Sequence, residues 1–296
     1  MVGTLVVLLG ALIVTTVVVV GSLVVGWLLD RPLDADEMPT FGAITDTALL
    51  LVAIGAVIPV VLFAVWAIDR RPVGTVSSVV GRLRYGWLGV CLLVALPTVV
   101  LTIGLSIVAL VLTDAGDAAE VGSWAGWGSL AASMAMLIVL VPFQAGAEEY
   151  VCRGWLLQAV GGLVRRPWLA IAPQAILFAA AHGWGTAWGF ADLVFFGAVA
   201  GWLTIRTGGL EAAIGLHVMN NVIALGLAAA YGMLDSDQTA ADSPWQVVVV
   251  DVVLLSLYAW VVLWLARRRR IATVTPAAEI APPEPSPAPL AAQLVQ

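Results

Sequence analysis

Runs of about twenty apolar residues follow one another along most of the chain, separated by short polar loops. A run of that length crosses the ~30 Å hydrocarbon core of a bilayer as a helix. Backbone in lipid must satisfy its own hydrogen bonds, which restricts spanning segments to helices and closed barrels. Of the 296 residues 61% are hydrophobic and 11% charged. A soluble domain carries about 25% charged residues, so the chain reads as an all-α polytopic membrane protein.

Eight spans can be placed, near residues 3–29, 42–68, 86–112, 128–147, 168–182, 190–205, 209–231 and 245–266. The first has no basic n-region and is far longer than a signal segment, so it reads as a span. The arginines are an independent check on orientation. Arg70, Arg71, Arg82, Arg84, Arg153, Arg165, Arg166, Arg206 and Arg267 to Arg270 all fall on one side of the layout, and only Arg31 falls on the other. By the positive-inside rule both termini are expected in the cytoplasm of a cell-membrane protein. Tryptophans near the span ends form the expected interfacial belt.

The chain divides into N-terminal spans one to three with their loops (1–127), a core of spans four to seven (128–233), and the last span with its arginine cluster (234–270). The proline- and alanine-rich tail, 271–296, is expected to be disordered in the cytoplasm. Every basic residue is arginine, and alanine and valine dominate the apolar positions, the bias of a GC-rich bacterial genome. Two cysteines, Cys91 and Cys152, are too few for a disulfide framework or a thiolate metal site. No basic patch of the kind that binds nucleic acid is present.

Charge at bilayer depth is expensive and calls for a reason. Asp46 and Asp251 lie about two turns inside an outer helix end, where a side chain reaches the headgroups. Asp192 and Glu211 sit in the first turn of their spans, where the helix dipole favours an anion. A structural role accounts for these four. There remain Glu148, Glu149, Arg153, His182, His217, Asn220 and Asn221, which include both histidines of the chain.

Depth brings this set together. If the helix carrying Glu148 continues to a turn at Arg165, Arg166 and Pro167, then Glu148 and His182 both stand roughly 25 Å from that turn on antiparallel helices. His217 and Asn221 lie roughly 16 to 23 Å into span seven, counted from Arg206. A straight helix from 128 to 165 would be roughly 55 Å long, so a bend near Gly161 and Gly162, or a projecting segment, is expected. Adjacent residues on a helix differ by about 100° in direction, so Glu148 and Glu149 cannot face the same point. Glu149 and Arg153 are spaced for an i,i+4 ion pair, which leaves Glu148 to face a cavity. His217 and Asn221 share a face, with Asn220 near it, and so do Phe178 and His182.

These residues form, in order, E-E-x-x-x-R, F-x-x-x-H and H-x-x-x-N, as EEYVCR, FAAAH and HVMNN. Over roughly residues 140–225 the chain resembles the CAAX protease and bacteriocin-processing family of intramembrane endopeptidases, which includes the type II CAAX prenyl proteases and the abortive-infection proteins. The resemblance implies that Glu148 and His182 activate a water and that His217 and Asn221 form the oxyanion hole. Glu149, Arg153, Phe178 and Asn220 would support them. It implies a membrane-associated or lipidated peptide or protein as substrate, a site opening toward the cytoplasm, and no cofactor. Two other readings use the same residues. One is a zinc protease with Glu148, His182 and His217 as ligands. The other is a transporter or silent adaptor with a buried polar relay.

Overall fold

The computed structural model describes residues 2–34, 37–113, 122–236 and 238–275. The chain is a polytopic membrane protein built of helices. In order they are α1 (Val2–Leu28), α2 (Ala43–Gly55), α3 (Val57–Ala67), α4 (Tyr85–Leu112), α5 (Trp127–Glu149), a π-helical segment (Tyr150–Leu156), α6 (Leu157–Gly161), α7 (Pro167–Ala181), α8 (Ala187–Thr207), α9 (Glu211–Ala230) and α10 (Trp245–Arg268). Among the described residues seven helical runs are long and apolar enough to cross a membrane. Their outward faces carry leucine, valine and tryptophan: on α1 only Gly3, Val7 and Gly26 are buried. This is the surface expected where lipid replaces water. The part of the expected disordered tail from residue 276 onward lies outside the described residues.

Two expected spans take a different form. The run 42–68 is broken at Ala56 into α2 and α3. Pro59 has no N–H to return to Gly55, which removes one rung of the ladder beside the break. The expected fifth span is the 15-residue helix α7, about 22 Å long and short of the ~30 Å core. The count is therefore seven spanning runs and one short apolar helix, in place of eight spans. The fourth run continues from Trp127 to Gly161, 35 residues in all. It does not stop near residue 147, as the depth argument required.

Within the bundle, α9 packs against α4, α5 and α8, and α10 packs against α4 and α8. Helix α7 lies along α8, and α1 covers α2 and α3. Small residues set the tightest crossings. A Cβ on Gly215 of α9 would come within 2.9 Å of Cys91 Cβ on α4, and one on Gly197 of α8 within 2.9 Å of Ala175 Cα on α7. Such close helix approach is what small residues permit in membranes.

At the arginine-rich end a buried ion pair ties three segments together. Arg84 Nη2 is 2.6 Å from Glu211 Oε2, and Arg84 Nε donates to Glu211 Oε1 at 2.9 Å. The same guanidinium donates to the carbonyls of Thr207 and Ala272 at 3.1 and 2.9 Å. Glu211 is fully buried, and so is held by this pair as well as by its helix end. The loop before α4 also docks on the α8–α9 turn, where Leu210 N donates to Ser77 O and Val79 N to Gly208 O, both at 2.9 Å.

Removing one member of a buried pair leaves an uncompensated charge, a loss of about 3–5 kcal/mol. Glu211→Gln is expected to lose about that much unfolding free energy, read from reversible unfolding in mixed micelles. An unchanged transition would show that the pair is dispensable.

Candidate active site

Glu148 and Glu149 close the last turn of α5, and Arg153 sits in the π-helical turn that follows. Single π turns inside α-helices recur at functional sites because they re-aim side chains. This turn is pinned from outside: Tyr150 and Ser77 hydroxyls meet at 2.6 Å, and a Cβ on Gly154 would come within 2.8 Å of Val76 Cγ2. The four-residue spacing gives the ion pair expected of it. Arg153 Nη1 donates to Glu149 Oε1 at 2.9 Å, with both side chains fully buried.

The same Glu149 oxygen has a second partner that helix spacing alone does not reveal. His217 Nδ1, from α9, lies 2.8 Å from Glu149 Oε1. A carboxylate only accepts, so Nδ1 carries the proton of this bond. Nε2 of the ring then faces Glu148 Oε2 at 3.5 Å. As an imidazolium, His217 presents a proton toward Glu148; as the neutral ring, it presents a lone pair. Aromatic rings wall in this histidine. Phe178 of α7 and Phe196 of α8 stand edge-on to it with centroids at 5.7 and 5.4 Å, and stack on each other at 5.6 Å. Arg153 Cζ lies 4.5 Å from the Phe178 centroid, a cation–π contact that offsets part of the cost of burying a guanidinium.

Glu148 is the more exposed of the two carboxylates, with its side chain 20% exposed, although its Oε2 is buried and makes no hydrogen bond among the described residues. It is not left free. Gln144, one turn earlier, donates through Nε2 to Glu148 Oε1 at 2.7 Å, and Asn221 Nδ2 donates to Gln144 Oε1 at 3.0 Å. Asn220 Nδ2 reaches Asn221 Oδ1 at 3.4 Å. A chain of polar contacts therefore runs from Arg153 through Glu149, His217, Glu148, Gln144 and Asn221 to Asn220. Gln144 and Phe196 did not stand out in the sequence. The spacing Q-x-x-x-E was the available signal for Gln144, and Phe196 had none beyond its aromatic character.

His182 stands at the edge of this group. It caps α7, and its Nδ1 is 2.9 Å from Phe178 O. A carbonyl only accepts, so Nδ1 carries the proton and the half-buried ring keeps Nε2 as a lone-pair site. It contacts the Phe178 ring at 4.6 Å. Among the described residues no hydrogen bond or ion pair joins it to Glu148.

Among the described residues no three His, Cys, Asp or Glu side chains are grouped to hold a metal ion. The ligand set of the zinc reading is therefore not assembled in this conformation. A cavity of about 550 Å³ at the arginine-rich end borders Arg153 but none of Glu148, His182, His217 or Asn221. The remaining membrane acids have partners. Asp46 accepts from Phe41 N at 3.0 Å and from the Thr40 hydroxyl. Asp192 of α8 meets Asp251 of α10, which also meets Thr102 of α4, so these two acids face each other across the bundle and not the headgroups.

The segment that builds this cluster is also the one with recognisable relatives. A family model described as type II CAAX prenyl endopeptidase Rce1-like matches residues 130–223. The uncharacterized protein YyaK of Bacillus subtilis (strain 168) is 36% identical over 95 residues, 30% of this chain and 32% of that protein. The match thus spans about a third of the relative's length. No solved structure matches. The stretch that matches this family model, residues 130–223, holds Gln144, both glutamates, Arg153, both histidines and the asparagine pair.

Proposed function

We propose that the chain is an intramembrane endopeptidase that hydrolyses a peptide bond of a membrane-associated or lipidated substrate. The observation that carries this reading is the pair of carboxylates flanking His217. One is fully buried and committed to Arg153 and His217, and the other is partly exposed, bonded to the Gln144 amide and 3.5 Å from the other ring nitrogen of His217. Two carboxylates in such different surroundings are suited to different tasks.

In the proposed reaction Glu148 takes a proton from a water while the water oxygen attacks the scissile carbonyl carbon. The carbonyl π electrons move to its oxygen, giving a tetrahedral oxyanion. Asn221 is suited to bind that oxyanion. Its amide nitrogen carries two hydrogens, and the bond to Gln144 uses one. His217 in its imidazolium form is the second donor, through Nε2. Collapse of the intermediate breaks the C–N bond, and protonated Glu148 returns its proton to the leaving amine. His182, with its Nε2 lone pair free, orients or shares the attacking water. General-base assistance is worth about 10²–10⁴ in rate and one oxyanion donor about 10²–10³. The arginine-rich end, where α8 finishes and α9 begins, is the proposed cytoplasmic face.

The test is cleavage of a prenylated C-a-a-X peptide, an unprenylated control and a transmembrane peptide by purified protein in lipid. Glu148→Gln is expected to lower kcat by at least about 10²-fold, and Asn221→Ala by about 10²–10³-fold with KM little changed. His182→Ala is expected to impair turnover as well. If these three variants cleave like the wild type, the proposal fails. Because no three His, Cys, Asp or Glu side chains among the described residues are close enough together to hold a metal ion, cleavage is expected to survive 1,10-phenanthroline. Loss of activity with chelator, restored by zinc, would instead support the metal-dependent reading.

A further inference from the structure

The 550 Å³ cavity at the arginine-rich end lies outside the polar cluster, and its lining calls for a ligand. Four arginines border it, Arg71, Arg153, Arg165 and Arg166, and among the described residues no aspartate or glutamate does. Two of the four are compensated. Arg71 lies 3.2 Å from Asp69 and donates to Gln158 at 2.8 Å, and Arg153 is paired with Glu149. Arg165 and Arg166 have no ion pair among the described residues.

Arg153 is part of the wall, but its side chain is fully buried and its guanidinium packs over Phe178 and beside Gly197, so the recognition falls to Arg165 and Arg166. Of the lining hydroxyls, Thr75, Ser78 and Thr204 donate to backbone carbonyls of Pro72, Arg82 and Ala200 and Ser77 pairs with Tyr150, which leaves those of Thr273 and Thr275 to assist the arginines. Helix α7 starts at the same wall with no side-chain cap, so its positive end adds to the guanidinium field. The cavity also lies at the level where α8 ends and α9 begins, the depth of lipid headgroups for helices of this length.

We propose that this cavity binds a phosphate group, presented either by a lipid headgroup or as free phosphate. Phosphate offers several acceptor oxygens to diverging guanidinium groups, and arginine binds it in bidentate fashion. The proposal does not depend on the hydrolytic reading, because its readout is binding.

Full-length protein in neutral detergent would be titrated with inorganic phosphate against chloride at equal ionic strength, following the thermal midpoint. In parallel, native mass spectrometry would compare phosphatidylglycerol with the phosphate-free lipid diglucosyldiacylglycerol. Stabilisation by inorganic phosphate assigns a free anion; retention of phosphatidylglycerol alone assigns a lipid headgroup. Either is expected to weaken by about tenfold or more in the Arg165→Gln, Arg166→Gln double variant. Both residues are exposed, and the double lysine variant, which keeps the charge, serves as the folded comparison and should retain part of the binding. The proposal is overturned if neither source binds wild type above its control, or if the double glutamine variant binds as tightly as wild type.

Discussion

One carboxylate oxygen organises the interior of this protein. Glu149 Oε1 accepts from Arg153 at 2.9 Å along its own helix and from His217 at 2.8 Å across to α9. All three side chains are buried. A charge in that position survives only if it is paired and hydrogen-bonded, and here it has both a guanidinium and an imidazole. The pairing also fixes geometry. Holding His217 by Nδ1 determines which ring nitrogen points at Glu148, and so sets what the second glutamate can do.

The rest of the fold serves to hold that oxygen in place. Helix α9 must approach α4 closely, which Gly215 allows, and α7 must approach α8, which Gly197 allows. The π turn carries Arg153 back toward Glu149 while Tyr150 and Gly154 anchor the turn to the loop before α4. Phe178 then joins the parts, with its ring over Arg153, beside His217 and against His182. This arrangement combines a fully buried side at Glu149 with a partly exposed side at Glu148. A hydrolytic site in a membrane needs both: charge held in place, and a carboxylate that water can reach.

Much of this was readable before any coordinates, because helical spacing is a local property. The Glu149–Arg153 pair follows from four-residue periodicity, and continuation of the helix past Glu148 followed from matching depths on α5 and α7. What periodicity cannot supply is the rotation of one helix against another. The Glu149–His217 contact depends on how α9 turns toward α5, so depth places the histidine in the right layer without revealing its partner, and its oxyanion role rests on the resemblance. Gln144 was passed over because a glutamine inside an apolar run draws less attention than a charge. Asp192 and Asp251 were read separately as headgroup or helix-end acids, although they meet across α8 and α10. Pro59 was the visible signal for the break in the second span, obscured by the apolar run around it.

The division between the two glutamates is most directly tested by unfolding measurements on Glu149→Gln and Glu148→Gln under identical mixed-micelle conditions. Removing Glu149 leaves Arg153 and His217 buried without their shared acceptor, so Glu149→Gln should lose about 3–5 kcal/mol of stability. Glu148→Gln, which keeps an amide neighbour and partial exposure, should unfold close to wild type. Equal losses in the two variants, or a larger loss at Glu148, would contradict the assignment of Glu149 as the structural carboxylate.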